Sequence, residues 1–276
     1  MNTIKYTINS VQDPEMIIAL ISGFPFHSFM EIEKGVEAYI SENECNEVVI
    51  QDIESFLLEN KMEFRAEVIK YENWNKKWEE NFEPVVVDEF CSIRADFHHP
   101  PIGVRYDLII NPKMAFGTGH HETTRLVISL MRSIDFVGKN VLDFGTGTGV
   151  LAILAEKSGA TRILAIDNDP LATENALENL MTNHSVLTAI KTGSIEELPK
   201  EEKFDIIIAN INLNVLTASV EAISARIKPQ GVLILSGVMQ IHRELLLQTY
   251  QNAGFEIQQM LEEGEWLGVK CKFQLS

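Results

Sequence analysis

Residues 140–153, NVLDFGTGTGVLAI, set an apolar run, three glycines at alternate positions and a second apolar run in direct succession. This pattern reads as a strand, a tight loop and a helix, and it lets backbone N–H groups approach a ligand closely beneath a helix N-terminus. The unit then repeats. Strands are expected at NVLDF, RILAID, TAIKTG, FDIIIAN and GVLILSG, and helices over 123–134, 149–158, 170–183, 213–227 and 240–252. Strand and helix alternating in this way imply a parallel sheet covered on both faces. The last two strands, FEIQQML and WLGVKCKFQL, are joined by the turn EEGE and should pair antiparallel at one edge.

The glycine loop is not a dinucleotide fingerprint, because GxGxxG would need glycine at Val150. Asp143, two residues before Gly145, would repel a pyrophosphate but suits a sulfonium or an ammonium group. Asp167 closes the next strand in AIDNDP, where an acid accepts both hydroxyls of a ribose. A helix cap is the other reading of Asp167, but Asp169 before Pro170 fills that role better. Five parallel strands with a terminal hairpin is the architecture of class I methyltransferases, so the expected fold is α/β with a doubly wound sheet. The fourth strand ends in Asn210-Ile211-Asn212-Leu213. Amino-methylases acting on bases or glutamine amides commonly carry Asn/Asp-Pro-Pro-aromatic here, so a flipped adenine is disfavoured.

Residues 1–72 form a separate α+β pattern. A strand at IKYTINS precedes a helix opened by Asp13 and Pro14; a strand pair turns at Gly35; a helix puts Val49, Ile53, Phe56 and Leu57 on one face; a strand at EFRAEVIKY closes the unit. The order β-α-β-β-α-β is that of a ferredoxin-like fold. Residues 73–105 read as a bridging segment, in which Trp74 and Trp78 share a helical side and suit packing between domains. His98 and His99 are adjacent and point to opposite faces of a strand, a poor spacing for a metal. Residues 106–276 complete the second domain.

With 276 residues, 45% of them hydrophobic, the composition is that of a globular protein. MNTIKYTINS lacks the pattern of a signal peptide, and no apolar run approaches the roughly 20 residues that span a bilayer. Cys45, Cys91 and Cys271 are widely spaced and suggest neither a disulfide framework nor a metal site, so the cytoplasm is expected. The net charge of −17 repels phosphate backbones and attracts basic proteins, although such a surface also serves solubility alone. The charge is concentrated early: from Met1 to Asn60 the only Lys or Arg residues are Lys5 and Lys34.

A second Gly-Thr-Gly lies upstream, in NPKMAFGTGHHETT. Together with WEENFEPV, VLDFGTGTGVLAI, AIDNDP and IANI it makes nearly the whole chain resemble the PrmA family, bacterial methyltransferases of the stalk-base large-subunit ribosomal protein. The resemblance implies a ferredoxin-like substrate-recognition domain, a linker and a class I catalytic domain. It implies S-adenosylmethionine as cofactor, held by Thr124, Gly145, Asp167 and Asn210, with the first loop folding over it and Phe116 near the amine. Thr123 and Thr124 also suit a helix cap. His121 matches the family and suits an orienting bond within the loop. His120 and Glu122 depart from the family, where many members have Thr and Pro. The implied reaction is methyl transfer to lysine side chains and an N-terminal amine of a basic ribosomal protein. No obligatory general base and no metal are expected, and a monomer without nucleic-acid or membrane partners is implied.

Overall fold

The computed structural model describes residues 2–10, 13–32, 34–69, 83–111 and 117–274. Trp74, Trp78 and Phe116 lie outside the described residues. The chain divides into two compact units, Met1–Phe82 and Glu83–Ser276.

In the first unit the elements are β1 (Thr3–Asn9), α1 (Pro14–Ile21), β2 (Ser28–Ile32), β3 (Gly35–Ser41), α2 (Glu47–Glu59) and β4 (Glu63–Ile69). The helices start where side chains can satisfy their first N–H groups: Asp13 accepts from Glu15 N and Asn46 from Val49 N. The sheet order is β2-β3-β1-β4, with every neighbouring pair antiparallel. Alternate residues of the two central strands point one way, so Ile4, Tyr6, Ile8, Val36, Ala38 and Ile40 form one buried layer. The helices cover that layer with Ile17, Ile21, Ile53 and Leu57, while Val49 and Phe56 are partly buried on the same cluster. The helical face expected in α2 is therefore the one that packs.

The second unit opens with a three-stranded sheet, β5 (Val85–Val87), β6 (Cys91–Arg94) and β7 (Tyr106–Ile109), in that order. The segment expected as a bridge over 73–105 is thus partly built into this unit, from Glu83 onward. Strands of three and four residues carry too little alternation to read. What fixes them is Arg94, buried, whose guanidinium meets Asp107 at 2.9 Å and donates to the carbonyls of Ala95 and His98.

The main sheet follows the expected alternation: α3 (Glu122–Met131), β8 (Asn140–Phe144), α4 (Val150–Lys157), β9 (Arg162–Asp167), α5 (Pro170–Thr182), β10 (Thr188–Thr192), β11 (Phe204–Asn210), α6 (Leu213–Ala218), α7 (Val220–Arg226), β12 (Ile227–Met239), α8 (Arg243–Asn252), β13 (Phe255–Glu263) and β14 (Trp266–Phe273). Its order is β10-β9-β8-β11-β12-β14-β13. The first five are parallel to one another; β14 runs antiparallel to both β12 and β13 and lies between them. The helix expected as continuous over 213–227 is broken at Ser219, whose hydroxyl donates to Glu196 Oε1 at 2.8 Å.

Successive residues of a strand face opposite sides, and both sides of this sheet are covered. Val141, Ile206, Ile208 and Ile234 pack with residues of α3 and α4. Leu142, Phe144, Ile207, Leu233 and Leu235 pack on the other side with Ile223, Leu246 and Tyr250. Cys45, Cys91 and Cys271 are free and buried. Among the described residues, no helix is long and apolar enough to cross a membrane.

Candidate functional site

The chain reverses its winding between β8 and β11: β9 and β10 lie to one side of β8, β11 and β12 to the other. A crevice forms outside the carboxyl ends of the strands at such a point. Here it is a cleft of about 440 Å³. Every parallel strand contributes to it at its end: Gly145 after β8, Asp167 on β9, Gly193 after β10, Asn210 and Ile211 on and after β11, and Gly237 on β12. His121, Thr123 and Trp266 line the remaining wall.

Gly145 has φ +77°, a left-handed conformation, and a Cβ there would stand 2.1 Å from Ile211 Cγ2. Loop and cleft wall meet too closely for any side chain. The loop is held from both sides. Asp167 Oδ2 accepts from Gly147 N at 2.9 Å and Asp167 Oδ1 from Asp169 N at 3.1 Å. Asp169 caps α5 by accepting from Leu171 N, as expected.

Asp143 is fully buried and does not line the cleft. Its Oδ2 accepts from Thr146 Oγ1 at 2.6 Å and Ala152 N at 3.2 Å, while Oδ1 has no partner among the described residues. Burial pushes its pKa up to about 7, against the lowering effect of those two bonds. Its structural part is to hold the loop from beneath.

Of the four residues expected to hold the cofactor, Gly145, Asp167 and Asn210 line the cleft together. Thr124 does not: it is fully buried, and its hydroxyl has no partner among the described residues. Asn210 Oδ1 is also buried at the cleft and has no hydrogen-bond partner among the described residues. The helix cap falls on His121 rather than on Thr123 or Thr124: Thr123 N donates to His121 Nδ1 at 3.3 Å. The His121 ring packs edge-on against Trp266, with centroids 4.7 Å apart. Trp266 escaped the sequence reading, since position 266 only opens a strand. The two departures from the family also bond locally. His120 Nε2 lies 2.9 Å from Glu83 O, and Glu122 meets Arg125, which bridges to Glu263 at 2.6 Å. Among the described residues, no cluster of three or more His, Cys, Asp or Glu could hold a metal.

The glycine loop, the acid ending the next strand, and five parallel strands with an inserted antiparallel one define a class I methyltransferase that uses S-adenosylmethionine. The residues present fit that cofactor: a glycine loop with no room for a Cβ at Gly145, a carboxylate ending β9 at the cleft and the polar side chain of Asn210 across from it. A family model described as ribosomal protein L11 methyltransferase (PrmA) matches residues 16–274, and the chain belongs to that family. The ribosomal protein L11 methyltransferase of Phocaeicola vulgatus is 36% identical over 259 residues, 93% of this chain and 92% of its own. That of Chlorobaculum parvum is 36% identical over 264 residues, 92% of this chain and 90% of its own. The crystal structure of a ribosomal protein L11 methylase from Lactobacillus delbrueckii subsp. bulgaricus superposes with a TM-score of 0.65 at 25% identity. It covers 70% of this chain and all (100%) of that one.

Proposed function

We propose that the chain methylates amines of ribosomal protein L11, at lysine side chains and an N-terminal amine, in the cytoplasm and as a monomer. Asn210 Oδ1 carries the chemistry of this reading: a buried, unpartnered acceptor at the cleft of an L11-methyltransferase fold suits an amine N–H. Asp167 and the loop from Gly145 hold the cofactor, and Thr124 contributes from behind the wall. S-adenosylmethionine, when bound, supplies the electrophilic methyl group; the protein supplies alignment and a dry site.

A lysine has a reference pKa of about 10.4 and must lose its proton before it can attack. Exclusion of water lowers that pKa by disfavouring the cation. His121 is poorly suited to take the proton. Its Nδ1 accepts from Thr123 N, which places the ring's own proton on Nε2 in the neutral form. The first unit suits substrate recognition. Its β-α-β-β-α-β order and antiparallel β2-β3-β1-β4 sheet support the ferredoxin-like reading, and its acidity suits a basic protein. We therefore assign residues 1–72 to recognition and 106–276 to catalysis; of the stretch 73–105 expected to connect them, the part from Glu83 onward belongs to the catalytic unit. The same acidity disfavours direct contact with nucleic acid.

The test is transfer of labelled methyl from S-adenosylmethionine to ribosomal proteins of cells lacking this chain, followed by mass spectrometry. Label on L11 amines is expected; label on RNA, or on other proteins alone, would overturn the reading. Asp167→Ala should weaken S-adenosylmethionine binding by about 1.5–3 kcal/mol, the usual worth of charged hydrogen bonds. Calorimetry giving unchanged affinity in a folded variant would remove Asp167 from the site. His121→Ala should lower the rate well short of the roughly 10²–10⁴-fold typical of a lost general base. Rate should rise with pH in both proteins as the amine deprotonates. A rising limb that vanishes in His121→Ala would make His121 the base.

A further inference from the structure

Thr148, in the middle of the second glycine loop, is fully buried and its side chain points away from solvent. Its hydroxyl donates to Gly117 O, in the first Gly-Thr-Gly, at 2.7 Å. Its own carbonyl accepts from Asn179 Nδ2 at 2.9 Å. Asn179 Oδ1 accepts from Asn111 N at 3.2 Å. One turn further, at the C-cap of α5, Asn183 treats Ile109 as a neighbouring strand would, accepting from its N–H at 3.0 Å and donating to its carbonyl at 2.6 Å.

Those bonds have a physical origin. β7 is an edge strand, with Ile110 N–H donating to Arg94 O at 2.8 Å on its paired side. The groups of its open side, at 109 and 111, would otherwise be left unpaired. Two asparagines spaced four apart on α5 satisfy them, and one of the two also grips the cofactor loop. Both glycine segments are thereby bonded, through Thr148, to each other and to α5. Neither Thr148 nor Asn179 lines the cleft.

We infer that Thr148 and Asn179 are positioning residues for methyl transfer. They set the spacing between the loop carrying Gly145 and Gly147 and the opposite wall carrying His121 and Thr123. The inference rests on the reading of this cleft as the methyl-transfer site. Bonds that act on alignment should appear in turnover more than in affinity, because displacement of about 1 Å can cost on the order of 100-fold in rate.

The experiment uses the full chain with Thr148→Val, which keeps the branched shape and removes the hydroxyl, Thr148→Ser, which restores it, and Asn179→Ala. Thr148→Val should lower kcat by about 10- to 100-fold, with the Kd for S-adenosylmethionine changed less than about threefold. Thr148→Ser should recover most of kcat. Asn179→Ala tests the link from the helix side should Thr148→Val not fold. Hydrogen exchange supplies a readout independent of activity: amides from Gly119 to Thr124 should exchange faster in Thr148→Val and Asn179→Ala, and normally in Thr148→Ser. Unchanged exchange at those amides, or equal losses in kcat and affinity, would overturn the inference. Faster exchange in a chain that transfers no methyl group would support the link and sink the functional reading instead.

Discussion

Gly145→Ala is expected to bind S-adenosylmethionine far more weakly than the unaltered chain while remaining folded. Two costs arise together. A left-handed backbone costs an L-residue roughly 1–2 kcal/mol. The new methyl group would also stand 2.1 Å from Ile211 Cγ2, so one side of the cleft must move. Forcing a methyl group into a packed site costs about 1–3 kcal/mol more. Ile211 follows Asn210 directly and both line the cleft, so the displacement reaches a second binding residue. Where the loop relaxes out of this geometry in the free chain and must be forced back on binding, the sum, roughly 2–5 kcal/mol at most, falls on affinity and corresponds to about 30-fold to several-thousand-fold in Kd. Calorimetric titration with thermal melting measures it. Affinity within about threefold of the unaltered protein would show that the loop does not cradle the cofactor.

Asp143→Asn should change how stability depends on pH. An aspartate normally titrates at 3.8, and burial raises Asp143 to about 7. The folded state therefore holds this proton more tightly than the unfolded state. Below pH 3.8 both states are protonated and the group is neutral in its effect. As pH rises through the interval up to about 7, the unfolded state releases this proton while the folded state keeps it, so stability falls; above the interval the loss is complete. The slope is at most about 1.4 kcal/mol per pH unit, and roughly 4 kcal/mol accumulates across the window. Asparagine escapes this cost. Its amide oxygen can accept from Thr146 and Ala152, and its nitrogen would sit where Oδ1 has no partner. Relative to the unaltered chain, the variant should gain stability from pH 4 to 7 and hold that gain above it. Urea unfolding at several pH values reads the difference, and a difference flat across the window would place the proton elsewhere.

Most of the second unit could be read from sequence because its strands are short apolar runs ended by glycine or an acid. NVLDF, RILAID and FDIIIAN fall on β8, β9 and β11 residue for residue. Gly145, Asp167 and Asn210 could be placed because each follows or ends a strand. What failed to show depends on partners distant in sequence. Thr124 is the residue expected at the cofactor; a step of one residue around the helix sets Thr123 in the cleft lining and Thr124 buried behind it, a distinction no local pattern records. Asp143 was expected near cofactor charge, but the strand's pleat turns it beneath the loop toward Thr146 and Ala152. β6 and β7 are tied by Arg94 meeting Asp107, and no local pattern records that pairing.

The position of β14 governs the order in which the catalytic unit can be assembled. β14, the last strand described, is paired on both edges, against β12 on one side and β13 on the other. It also buries Leu267, Val269 and Cys271 in the core. Until Phe273 has left the ribosome, β12 has an open edge and β13 has no neighbour in the sheet to join. Chains fold from their N-terminal end while they are being made, at roughly 5–20 residues per second. The first unit can settle during that time, but the cleft, which also takes Trp266 from this strand, cannot. The cleft is therefore complete only once β14 has taken its place between β12 and β13.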